Sequence, residues 1–82
     1  MNIKKLTSEM SAYLTSVGKI EMANLLNFNT NAMHAIVFAD APVGLDVQEN
    51  GSCIFTLYLP GMVYQFRKPC LDSPLENLGR VR

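Results

Sequence analysis

The sequence predicts an α+β domain: three N-terminal helices that include a helix-turn-helix, followed by a β-hairpin through which two copies dimerise. Three observations carry this. Apolar residues recur at helical spacing as far as Phe38. Asp40-Ala41-Pro42 then stops helix propagation, because Pro42 has no N–H to donate and pushes Ala41 out of the helical region. Beyond it the apolar period becomes two, with Asn50-Gly51 marking a tight reversal of type I′.

The first helix is expected from Thr7 or Ser8 to Val17. A Ser or Thr caps it, Glu9 sits in its first turn, and Met10, Tyr13, Leu14 and Val17 give one buried face. Gly18 ends it. The second helix starts at Lys19 and carries Met22, Leu26 and a small Ala23 over which the third helix crosses. The turn falls at Leu26-Asn27-Phe28-Asn29, where Asn27 takes the left-handed backbone. Asn29 or Thr30 caps the third helix, which holds Met33 and Ile36 and runs to about Phe38.

Val43, Leu45 and Val47 alternate with Gly44, Asp46 and Gln48 as the first strand, and the chain returns as Cys53 to Leu59 before Pro60-Gly61 breaks it. That second strand is apolar on both faces. Met62–Phe66 folds back as a third strand, or a second copy covers it, or both, and the second copy would place Ile54, Phe55, Leu57 and Tyr58 at a dimer interface. Residues 1–66 thus form one domain. Residues 67–82 read as an irregular basic tail in which LENLG makes a single helical turn.

Eighty-two residues support one small core, which dimerisation would help to stabilise. No apolar run approaches the roughly 18 residues needed to span a bilayer, and the basic start lacks the apolar block of a signal peptide, so a cytoplasmic location without membrane contact is expected. Cys53 reads as a small buried hydrophobe and Cys70 as an exposed thiol; no CxxC pair supports a metal. Formal net charge is zero, which counts against phosphate binding, although Lys19, Arg67, Lys68, Arg80 and Arg82 are candidates for backbone contacts.

The order of three helices and an Asn-Gly hairpin resembles the Cro family of small phage repressors without a gap. The resemblance covers roughly Thr7 to Pro60. It is carried by Tyr13, Gly18, Ala23, Leu26, Phe28, Ala32 and Met33, then by Leu45, Val47, Gly51, Ser52 and Pro60. It implies a homodimer joined through the last hairpin strand, acting as a transcriptional regulator with the third helix in the major groove of double-stranded operator DNA. The family's base-reading positions correspond here to Thr30, Asn31, His34 and Ala35; Asn31 would read adenine, His34 a base or phosphate, and Thr30 a phosphate or thymine methyl. The chain departs from the family in having Ala35, Ala41 and Pro42 where Lys or Arg is usual, with Asp40 adding negative charge.

Catalysis has little support. His34 has no Ser or Cys partner nearby, the carboxylates are scattered, and phosphate loops, metal clusters and cofactor motifs are missing from the pattern. The second reading is a phage or mobile-element accessory protein, such as an antirepressor or an inhibitor of host defence, that binds a protein partner instead of DNA. A weaker likeness is to small type III secretion chaperones, on the run ENGSCIFTLYLPGMVYQF.

Overall fold

A single helix, α1 (Ile3–Leu25), runs through the stretch where the sequence predicts two. The structure, a computed structural model, describes residues 3–26 and 29–82, with side chains from residue 8 onward. The expected left-handed turn at Asn27 and the packing of Phe28 lie outside the described residues. After α1 come α2 (Thr30–Val37), β1 (Val43–Val47), β2 (Cys53–Leu59), β3 (Met62–Lys68) and β4 (Glu76–Arg80). The four strands form one antiparallel sheet in sequence order.

Gly18, expected to end the first helix, lies inside α1. It keeps a right-handed backbone, since the glycines with positive φ are Gly51, Gly61 and Gly79. A Cβ there would lie 3.2 Å from Phe55 Cε1 and 3.6 Å from Met22 Cε. Gly18 therefore marks a close approach of α1 to the sheet, a second use of glycine that sequence alone does not distinguish from a helix stop. The expectation of three N-terminal helices with a helix-turn-helix and a hairpin is overturned: two helices, α1 and α2, precede a four-stranded antiparallel sheet.

Asn29 caps α2, its Oδ1 accepting from Ala32 N–H at 3.0 Å. The chain leaves α2 through Asp40, whose φ of +52° lets the Ala41 N–H reach back to the Ala35 carbonyl at 2.8 Å. Aspartate tolerates this left-handed region better than most residues.

The hairpin after β1 is also built differently from the expectation. Asn50 has a negative φ while Gly51 is at +87°, and Gln48 N–H bonds the Ser52 carbonyl at 2.8 Å. A three-residue loop with a left-handed glycine thus replaces the two-residue type I′ turn. Asn50 Oδ1 secures it by accepting from Ser52 N–H (3.0 Å) and Ser52 Oγ (2.7 Å).

The hairpin extends into a full sheet. Met62–Lys68 is the third strand, paired with β2 from Leu59↔Met62 to Cys53↔Lys68. The expected irregular tail contributes the fourth, with a register shift opposite Gln65/Phe66, and residues 76–79 of LENLG are strand rather than helical turn. Both helices cover one face of the sheet. Leu14, Met22, Leu26 and Ile36 pack with Phe55, Leu57 and Phe66 in the core. Phe55 and Leu57 are 0% exposed, so two of the four residues expected at a dimer interface are consumed by the protomer's own core.

One polar clamp joins the helical layer to the far end of the sheet. Glu21 Oε1 lies 3.5 Å from Lys68 Nζ, and its Oε2 accepts from Leu75 N–H at 3.2 Å. Lys68 is 7% exposed, and this partner offsets much of the desolvation its ammonium suffers.

Candidate functional site

The residues expected to face DNA do face outward. Thr30, Asn31 and His34 are exposed on α2, and the His34 ring sits 5.4 Å from that of Phe38, one turn on. Ala35 is half-buried. Most of the expected phosphate contacts are engaged within the chain. Lys19 is paired with Asp40, Arg67 with Glu76 at 3.4 Å, and Lys68 with Glu21 in near-complete burial. Arg80 bonds the carbonyls of Arg82 (2.7 Å) and Gly61 (3.5 Å). Three of the five cations thus already face a carboxylate, which removes much of the positive field that polyanion binding requires.

Ile54 and Tyr58 remain at the surface side of β2, as half-buried and exposed residues respectively. With Thr56, Val63, Gln65 and Arg67 they belong to the sheet face opposite the helices, since side chains alternate along each strand.

The feature that the sequence reading missed lies on the helical side. A groove of about 570 Å³ runs along α1 and is lined by Ser11, Ala12, Thr15, Ser16, Lys19, Ile20, Val37 and Asp40. It exists because α2 is only eight residues long and stops at Val37, against α1's 23. Small side chains make up much of its lining. Two exposed apolar residues join them: Ile20, 58% exposed, and Val37, 41% exposed. The Lys19–Asp40 pair closes one side and leaves that side without net charge. Ile20 lies off the buried stripe of Leu14, Gly18 and Met22, and that offset was the available signal.

The two thiols differ. Burial pushes the Cys53 thiol up from the usual 9.0, with Lys68 partly opposing the effect. Cys70 is lowered, chiefly by its hydrogen bond with Ser73 Oγ at 2.8 Å and next by the Asp72 backbone. Among the described residues no group of three His, Cys, Asp or Glu side chains is placed to hold a metal ion, and no helix is long and apolar enough to cross a membrane. No protein-family model, characterised protein or solved structure matches the chain.

Proposed function

We propose that this chain is a non-catalytic binding module that docks an amphipathic helix of a partner protein in the groove along α1. The observation that carries this is the open groove, lined by the small Ala12 and Ser16 and by the exposed apolar Ile20 and Val37. Small lining residues admit a second helix at close interaxial distance, and exposed apolar ones favour anchors at i, i+3 and i+4 spacing. The charge distribution favours a protein over a nucleic acid: net charge is zero, and the cation at the groove is already paired. This is the accessory-protein reading of the sequence, without the helix-turn-helix.

The test compares the native chain with Ile20→Asp, each carrying a photoreactive side chain at Ser16, in nuclease-treated lysate. A discrete cross-linked protein that disappears with Ile20→Asp is the expected result. Retardation of random duplex DNA at about 20 mM salt, falling steeply as salt rises, would overturn the proposal in favour of nucleic-acid binding.

A further inference from the structure

The sheet has two edges, and they are treated differently. At β4 the edge is irregular: Leu78 bulges out of register opposite Gln65/Phe66, Gly79 sits at φ +95°, and Asn77 Oδ1 already takes the Gly79 N–H at 2.8 Å. Such features deter pairing with another chain. β1 is regular, with five consecutive residues in unbroken register with β2.

The hydrogen-bond alternation fixes which β1 groups are unpaired. Tyr58 N–H bonds the Pro42 carbonyl at 3.1 Å, and Gln48 N–H bonds the Ser52 carbonyl. In an antiparallel ladder every second residue exchanges bonds with a given neighbour. Pro42, Gly44, Asp46 and Gln48 therefore turn toward β2. Val43, Leu45 and Val47 direct their N–H and C=O groups to the open edge, where they meet no partner among the described residues. Their side chains lie on the helix-facing side with Phe55 and Leu57. Even so Val47 is 44% exposed, and Val43 and Leu45 are half-buried.

We propose that two copies of this chain pair through β1, antiparallel about a twofold axis at Leu45, joining two four-stranded sheets into one of eight. The register follows from the strand itself. An axis at Leu45 pairs Val43 with the second copy's Val47, Leu45 with Leu45, and Val47 with Val43. All three outward residues thereby enter bonded pairs, and one apolar row continues across the junction. On the opposite face it sets Asp46 against Gly44 of the second copy, where there is no side chain to repel it. Moving the axis to Asp46 would oppose two carboxylates, and moving it to Gly44 would leave Val47 unpaired. The sequence VGLDV is thus complementary to itself in the one register that uses the whole strand.

The test is sedimentation velocity across a concentration series, on the native chain and on charge variants at Gly44. Gly44 has no positive φ, and an added Cβ would meet its nearest neighbour at an ordinary 3.6 Å, so these variants are expected to fold. Gly44→Asp should weaken the dimer roughly three- to tenfold by opposing Asp46 twice, and Gly44→Lys should tighten it by a similar factor, with both effects fading in high salt. In a Cys70→Ser background, Leu45→Cys should form a covalent dimer on oxidation, because bonded antiparallel pairs hold Cα atoms about 5.5 Å apart, within disulfide range. A monomer at every concentration would overturn the proposal. A dimer indifferent to both Gly44 variants and not cross-linked at Leu45→Cys would also overturn it.

Discussion

Replacing Gly18 with alanine separates two opposed effects that the structure places at one residue. In a helix interior alanine gains about 1 kcal/mol over glycine, so an open site would be stabilised. Here the new methyl would meet Phe55 Cε1 at 3.2 Å, and Phe55 is fully buried with nowhere to retreat. Overpacking of this kind costs roughly 1–3 kcal/mol, so the net effect is a destabilisation of up to about 2 kcal/mol. Phe55→Leu removes the ring atoms responsible. In that background Gly18→Ala should stabilise by about 1 kcal/mol, giving a coupling of roughly 1–3 kcal/mol in the double-mutant cycle. Thermal unfolding followed by circular dichroism resolves this, since 1 kcal/mol shifts Tm by roughly 4–8 °C in a domain of this size. Equal shifts from Gly18→Ala in both backgrounds would refute the assignment of Gly18 as a packing residue.

Other perturbations test other parts of the fold. Glu21→Gln should destabilise by about 1–3 kcal/mol, because Lys68 is left buried without its countercharge; a denaturant midpoint within error of the native value would contradict the clamp. Asn29→Ala should cost about 1 kcal/mol through loss of the α2 cap, whereas Asn29→Asp should cost much less, both read from urea unfolding. Iodoacetamide should modify Cys70 well before Cys53. The alkylation rate of Cys70 should rise with pH to a midpoint below 9.0, and Ser73→Ala should move that midpoint upward, since the thiolate loses its principal hydrogen bond.

The parts of the fold legible in the sequence are those set by local chemistry. The stop at Asp40-Ala41-Pro42, the alternation of Val43, Leu45 and Val47, and the Asn29 cap each depend on residues within one turn or one strand. What escaped depends on tertiary context. Gly18 reads as a terminator until the ring of Phe55, 37 positions along, is known to lie against it. ENLGR has weak strand propensity and becomes a strand because β3 offers it an edge, while Glu21 fastens the preceding Leu75 to α1. The apolar character of both faces of β2 was visible, but assigning Phe55 and Leu57 to a partner required a small core. The four-stranded sheet provides a larger one. At the candidate site the outward placement of Asn31 and His34 follows from helical spacing. The groove beside Ile20 does not, because it arises from the unequal lengths of two helices.

The attachment of Glu21 to Lys68 and Leu75 also bears on how the chain is made. α1 is synthesised before Lys68 and Leu75, so its Glu21 lacks its electrostatic counterpart until those downstream residues have been made. During that interval Met22 and Leu26 have no sheet to cover them, so the nascent chain presents an oily helix face to its surroundings. That face is withdrawn from solvent only when Phe55 and Leu57 of β2 and Phe66 of β3 pack against it.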